Sequence, residues 1–555
     1  MAFRFGAVIF GIALGYLALI GRLYDLQLVR GEQFLARAQS QYRAIASFEA
    51  PRGLVYFTGK DGTRFPMALN KDFPTIYAVP KEIDDPEEAA NTLAGVVPLS
   101  VDELRAKFSR QGSLYVLLSK RPDEATAGAV AALDLKGIYV DAMSGRSYPN
   151  GTLGAQVLGF VAPDASGEAE KGRYGVEEFF DDTLKGVPGV EEDGKFTASQ
   201  SGGDVVLTLD PTIQAETERV LKDLVAEYRA QGGSILIAEP KTGKILAMGS
   251  YPTFDPNSYR TFPLEHFMNP SVQRIYEPGS VLKVVTMAGA IDAGKIASST
   301  TYVDKGMLTM NGYTIKNFDY ATRGEHGKVS MTYAIEHSLN TGAVFAQQKL
   351  GNVPFLEYLR RFGLDQKTGI TLPGEVKGSL RPLLERGARD IVFATASYGQ
   401  GIAVTPLGLL QAVGAIANGG NLMRPYVDAS LGPKVVRRAV SEDAARQVTG
   451  MMVSAVDRAA VARVNGYAIA GKTGTAFVPD FKKGGYTENV VNTYVGFGPA
   501  TNPRFVILIK LDQPPDAPLA GFSVVPAFQS LAQFMLNYYN VPPDRLPSAA
   551  KTNNL

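Results

Sequence analysis

Ser280-Val281-Leu282-Lys283, Ser338-Leu339-Asn340 and Lys472-Thr473-Gly474 lie far apart along the chain, yet they make chemical sense only if they meet at one point. That requirement constrains the fold more than composition does. A serine hydroxyl is a weak nucleophile at its own pKa, so an enzyme that acylates it must place a proton acceptor within hydrogen-bond reach. Lys283 can be that acceptor. The run Tyr276 to Ile291 reads as an apolar helix, with Pro278 suited to its first turn and Gly294 to its end. Residues three apart share a helix face, which places Ser280 and Lys283 side by side. Free backbone N–H groups and the helix dipole favour negative charge at the helix start. Burial among Val281, Leu282 and Val284 penalises an ammonium and pushes Lys283 toward the neutral form a base requires.

Each string alone is weak evidence, and the chain carries its own controls. Ser548-Ala549-Ala550-Lys551 repeats the serine–lysine spacing in a polar tail with no apolar run to bury a lysine. Lys241-Thr242-Gly243 sits between the strand-like runs Ser234–Ala238 and Lys244–Met248, which makes it a hairpin turn. Lys367-Thr368-Gly369 falls in a loop after a helix. Only Lys472-Thr473-Gly474 follows an apolar stretch, Tyr467 to Gly471, and continues into Thr475-Ala476 as a strand lining a cleft does.

Composition excludes several other chemistries. The chain has no cysteine, so thiol nucleophiles, thiolate metal sites and disulfides are out. A net charge of +1 argues against a nucleic-acid partner. The three histidines, His266, His326 and His337, show no metal-ligand spacing, so no metal site and no cofactor is expected. His337, next to Ser338, reads as a capping or packing residue. No G-x-S-x-G elbow, phosphate loop or tandem repeat is present. At 555 residues and 45% hydrophobic content, two or three domains are expected. The apolar run Phe5 to Gly21, between Arg4 and Arg22, reads as an uncleaved transmembrane anchor near the short end of the spanning range. Leu23, Leu26 and Val29 recur at helical spacing, extending the anchor as a stalk.

With these strings in place, the chain resembles the class B penicillin-binding proteins, membrane-anchored D,D-transpeptidases of peptidoglycan synthesis. The resemblance extends to Ile237–Met248 with Phe254-Asp255-Pro256-Asn257, an opening hairpin, and to Ser397-Tyr398-Gly399-Gln400-Gly401 through Leu407. Upstream, Pro51-Arg52-Gly53, Arg146–Gly151 and Gly172–Glu177 are similar to the motifs of the non-catalytic pedestal. The fold expected is α+β and multidomain. It comprises a short cytoplasmic end and anchor (1–22), a stalk and dimerisation-type pedestal (23–200), a transpeptidase domain with an antiparallel sheet flanked by helices (201–540), and a flexible tail (541–555). Strands are expected at Thr75–Val79, Ser113–Leu118, Val205–Leu209 and Phe505–Leu511, and helices at Pro211–Tyr228 and Val525–Tyr539.

The resemblance also implies roles. Ser280 attacks the penultimate D-alanine carbonyl of a stem peptide, and Lys283 takes its proton. Ser338 and Asn340, on a loop interrupting the helical stretch Thr332–Leu350, relay the proton and hold the substrate amide. Lys472 and Thr473 bind the terminal carboxylate, Gly474 and Thr475 line the substrate together with Thr473, and the N–H groups of Ser280 and Thr475 form the oxyanion hole. Implied partners are peptidoglycan stem peptides ending in D-Ala-D-Ala, β-lactams as inhibitors, a polytopic membrane glycosyltransferase and division proteins. The implied location is the cytoplasmic membrane, single-pass, with the bulk of the chain outside and a septal more than an elongation role. Two pedestal positions depart from the family pattern: Tyr56 stands where an acidic residue is common, and Gln156 where a histidine is frequent. A serine β-lactamase or β-lactam sensor shares the three strings, but the long pedestal argues against it. A vestigial scaffold that activates a glycosyltransferase is the other alternative, and the full catalytic set argues against that.

Overall fold

The computed structural model describes residues 15–17, 19–24 and 50–545, except 111, 114, 165–169, 193–194 and 481. The anchor and stalk fall largely outside these, although 15–17 and 19–24 are helical; of the tail expected at 541–555, Ser548–Lys551 lies outside, whereas 541–545 are held in place, with Arg545 paired to Asp457 and Asp544 accepting from the Ala468 N–H. Among the described residues no helix is long and apolar enough to cross a membrane. The described chain forms two units. The first holds the residues up to Leu54 together with Leu69–Ser147 and Asp182–Gly203, and the second holds Val55–Ala68, Tyr148–Asp181 and everything from Asp204.

In the first unit, the second half of the strand Arg64–Ala78 pairs antiparallel with Ile138–Ser147 and with Val116–Lys120. Helices Pro86–Leu93, Val101–Phe108 and Glu124–Ala132 cover it, and Ile76, Leu93, Leu104, Phe108 and Val130 make its core. The helix starts are encoded locally: Ser100 and Glu103 form a capping box, and Asp85 and Asp123 cap their neighbours' N–H groups. The strand expected from Ser113 begins only at Val116. The Ser113 hydroxyl bonds the backbone of Tyr115 at 2.8 Å, a local turn that competes with the ladder.

The second unit is built on a five-stranded antiparallel sheet. Its strands are β1 (Gly232–Ala238), β2 (Ile245–Tyr251), β3 (Ala470–Pro479), β4 (Tyr486–Gly498) and β5 (Phe505–Asp512), in the order β2-β1-β5-β4-β3. Helices α1 (Pro211–Glu227) and α6 (Val524–Tyr538) cover one face, where Ile213, Leu221, Leu531 and Met535 meet Ile235, Ile237, Ile507 and Ile509. Helix α5 (Pro406–Ala417) packs on β1, β4 and β5 with every residue buried. Leu236, between two residues of the first face, is buried as well, so β1 is covered on both sides. Both covering helices and β5 match the expected spans to within a residue. The strand expected over Val205–Leu209 shrinks to Val205–Val206. Beyond it, Leu207 bridges Asp428, and the Thr208 hydroxyl donates to the Ile245 and Tyr426 carbonyls, drawing the chain off before Asp210 caps α1.

Candidate active site

Ser280 sits on a 3₁₀ turn, Gly279–Leu282, that runs directly into α2 (Lys283–Asp292). The expected single α-helix is therefore tightened at its start. In a 3₁₀ turn residues i and i+3 eclipse, so the tightening brings Lys283 more squarely onto the Ser280 face, and the Lys283 N–H bonds the Ser280 carbonyl. Apolar side chains enclose this start: Val281, Leu282, Val284 and Val285 are at most 1% exposed, as is Lys283 itself. Gly294 closes the helix region in the left-handed conformation expected of it.

Ser338 and Leu339 lie on the loop anticipated between α3 (Met331–Glu336) and α4 (Asn340–Leu350), whereas Asn340, expected on that loop, is the first residue of α4. Ser338 takes a left-handed backbone, φ +54°, which is costly for a residue with a side chain and characteristic of functional sites. The conformation presents both its oxygens to the lysines. Lys283 Nζ donates to the Ser338 carbonyl and, at 3.2 Å, to its Oγ. Lys472 Nζ reaches the same Oγ at 3.0 Å. Among the described residues, no hydrogen bond joins Lys283 Nζ to Ser280 Oγ, so in this conformation the amine is held by Ser338. Asn340 Nδ2 donates to the Lys316 carbonyl at 2.8 Å, which fixes the orientation of its amide.

The third string lies on β3, the edge strand of the sheet, whose outer side packs on the nucleophile turn. Gly474 makes that approach possible, since a Cβ there would stand 2.7 Å from the Pro278 carbonyl oxygen. Lys472 Nζ also reaches the Thr473 carbonyl and hydroxyl at 3.2 and 3.3 Å. The Thr475 hydroxyl donates to Asn492 Oδ1 at 3.3 Å and accepts from the Ala520 N–H at 3.2 Å, tying β3 to β4 and the segment before α6. The decoy strings stay out of the site. Lys241–Gly243 is the hairpin turn between β1 and β2, and Lys367–Gly369 is a loop whose Thr368 bonds Glu375.

Electrostatics sharpen the division of labour. Burial pushes Lys283 well below the usual lysine range; the neighbouring Lys472 pushes further the same way, and Asp319 only partly opposes them. Burial alone lowers Lys472 to about 7. A buried amine disposed to lose its proton suits a base, and one balanced near pH 7 gains its charge fully when an anion arrives.

Two supports were not visible in the sequence as such. Gly399, at φ +85°, lies so close over Gly279 that a Cβ would meet the Gly279 oxygen at 2.1 Å. Beside it, Glu277 accepts from the Gly401 N–H at 3.0 Å and from the Tyr486 hydroxyl at 3.0 Å, pinning this segment to the residues just before Ser280. The second support is a buried network at the first turn of α4. Asp304, fully buried, accepts from Asn317 Nδ2 at 3.0 Å and from Thr341, while the Thr341 N–H donates to Asn317 Oδ1 at 3.1 Å. The glycines stand in a recognisable string, but no spacing in the sequence announces Asp304 or Asn317.

Comparison with known proteins agrees with this geometry. Residues 233–533 match the family model described as the penicillin binding protein transpeptidase domain, and 47–210 match the penicillin-binding protein dimerisation domain. Stage V sporulation protein D of Bacillus subtilis is 32% identical over 91% of this chain and 81% of its own length. The peptidoglycan D,D-transpeptidase FtsI of Escherichia coli is 28% identical over 99% and 94%. Among solved structures, a peptidoglycan synthetase from Bifidobacterium adolescentis matches with a TM-score of 0.67 at 28% identity, covering 90% of this chain and 98% of that one. Penicillin binding protein 3 from Mycobacterium tuberculosis, complexed with aztreonam, matches at 0.69 and 26%, covering 90% and 99%. Two domains in that order, with a serine and two buried lysines converging at the edge strand of the second, make this chain a member of the class B penicillin-binding proteins, the family of peptidoglycan D,D-transpeptidases.

Proposed function

We propose that Ser280 is acylated by the D-Ala-D-Ala end of a peptidoglycan stem peptide and that the chain cross-links stem peptides from a single-pass anchor in the cytoplasmic membrane. The observation that carries this reading is the convergence of Lys283 and Lys472 on Ser338, one amine disposed to be neutral and one held ready for an anion. Ser280 Oγ attacks the penultimate D-alanine carbonyl while its proton passes to Lys283. The tetrahedral oxyanion is held by the N–H groups of Ser280 and Thr475, where loss of one donor typically costs about 3 to 4 kcal/mol. Collapse breaks the peptide C–N bond, and the terminal D-alanine leaves with the proton, relayed through Ser338. Lys472 and Thr473 hold that residue's carboxylate until it departs, and Asn340 Oδ1 accepts an N–H of the stem peptide. An amine of a second stem peptide then attacks the ester and frees Ser280.

β-Lactams present the same carboxylate and strained amide, so they acylate Ser280 and stay. The likeness to an aztreonam-bound relative supports β-lactam binding, and the likeness to FtsI supports a division role. Labelling with a fluorescent penicillin tests the assignment. The wild-type chain takes up one equivalent that resists denaturation, and Ser280→Ala takes up none. Labelling that survives Ser280→Ala overturns it, and rapid hydrolysis of a chromogenic β-lactam would instead make the chain a hydrolase.

A further inference from the structure

We propose that Asp319, His326 and His337 form a binding site for a zinc-type divalent cation directly behind the Ser338 loop. Their spacing in the chain follows none of the familiar ligand patterns, and no metal site is expected from it. In the fold their ligand atoms lie within 4.8 Å of one another. Asp319 Oδ1, His326 Nε2 and His337 Nε2 are each buried without a hydrogen-bond partner. Buried polar atoms are nearly always paired, so an orphan on each of three residues whose ligand atoms already lie this close calls for a ligand between them. The His326 side chain is 0% exposed, and its Nε2 stands 3.1 Å from Asp319 Oδ2 without the alignment of a hydrogen bond. That spacing is close to the roughly 3.4 Å expected between two atoms bound tetrahedrally to one zinc ion at about 2.1 Å.

The surroundings fix the rings as a metal site requires. His326 Nδ1 is 3.3 Å from the Tyr333 hydroxyl, and donating its proton there leaves Nε2 as a free lone pair. The Tyr333 ring stacks on His337, with centroids 4.0 Å apart and planes 23° apart. Arg323 donates to the same hydroxyl at 3.1 Å and holds it in place. Two imidazoles and a carboxylate without any thiolate suit zinc over softer cations and over calcium or magnesium, with water as a fourth ligand. His337 precedes Ser338, so an ion bound here would hold the oxygens that receive Lys283 and Lys472. The ion is a clamp on the site's geometry and takes no part in acyl transfer.

The test uses the full-length chain in detergent, stripped of metal and titrated with cobalt(II) as a spectroscopic stand-in for zinc. Expected are a visible ligand-field band saturating at one equivalent, displacement by zinc, and a higher melting temperature with zinc bound. His326→Ala and Asp319→Asn should weaken binding more than tenfold, and Tyr333→Phe by about 10- to 100-fold, the usual effect of losing a group that orients a ligand. Melting curves in the absence of metal establish that the variants fold. Absence of a band and of a melting shift at one equivalent, or binding by His326→Ala as tight as wild type, overturns the proposal. Fluorescent-penicillin uptake is read separately, so failure of the metal site leaves the Ser280 assignment standing on its own test.

Discussion

Lys283 and Lys472 both donate to Ser338 Oγ, so a proton added to one raises the free energy of protonating the other. Acylation needs Lys283 neutral and Lys472 charged. The second-order rate of acylation by a β-lactam should therefore rise with pH through the lowered Lys283 titration and fall again as Lys472 loses its proton near pH 7. Once the inhibitor's carboxylate is bound it favours the charged form of Lys472, so the first-order acylation step should keep its rate to higher pH. Lys472→Arg, whose guanidinium stays charged, should shift the alkaline limb of the second-order profile upward whatever it does to the maximum. An alkaline limb that stays put in this variant would remove Lys472 from the anion-binding role. At this scale much was legible in advance: Ser280, Lys283, Ser338 and Lys472 stand in strings whose neighbours already separated them from the decoys. That Lys283 rests on Ser338 and that Asn340 is anchored to Lys316 could not be read, because both depend on where a loop sits relative to a helix remote in sequence.

The elements meet where two glycines permit it. Gly474→Ala would drive a methyl group toward the Pro278 oxygen, so β3 must move off the nucleophile turn. The expected result is a chain that melts close to wild type but acylates at least about tenfold more slowly, since roughly 1.4 kcal/mol of lost alignment suffices for that factor. Gly399→Ala adds a left-handed backbone to a steric clash, and a lowered melting temperature is expected along with slower acylation. The left-handed residue alone is worth about 1 to 3 kcal/mol. If both variants acylate at the wild-type rate, close approach of these segments is not what positions Ser280. Helices α1 and α6 and strand β5 could be anticipated from caps and periodicity, which are local. The shortened strand at Val205 and the 3₁₀ start before α2 could not, because each is set by partners supplied from elsewhere in the chain.

At the scale of the whole molecule, the unit that carries Ser280 also takes in Val55–Ala68 and Tyr148–Asp181, stretches read from the sequence as pedestal. Glu218 on α1 helps hold the second of these: it accepts from the Gly154 N–H at 2.7 Å and from Gln214 Nε2 at 2.7 Å. Burial raises its pKa to about 7, with these two donors opposing the shift. Because the folded value lies above the unfolded one, the stability it contributes is full below about pH 4.5 and is lost as pH rises through about 7. Glu218→Gln keeps an acceptor for Gly154 without the charge. Its melting temperature relative to wild type should climb between pH 4.5 and pH 7.5, by an amount on the order of 3 kcal/mol in stability. A difference that is flat with pH would show that Glu218 stays ionised in the fold. By itself the sequence determined the family, the three strings proposed as nucleophile with base, proton relay and anion anchor, and helices α1 and α6 with strand β5, because each is written in residues close enough to interact along one helix or strand. Only the tertiary structure decided how far apart in sequence the site's supports lie: Asp304 with Asn317 and Thr341, Gly399 over Gly279, and the grouping of Asp319 with two histidines. Those pairings are made by packing elements from distant parts of the chain, and no local periodicity records which of them will touch.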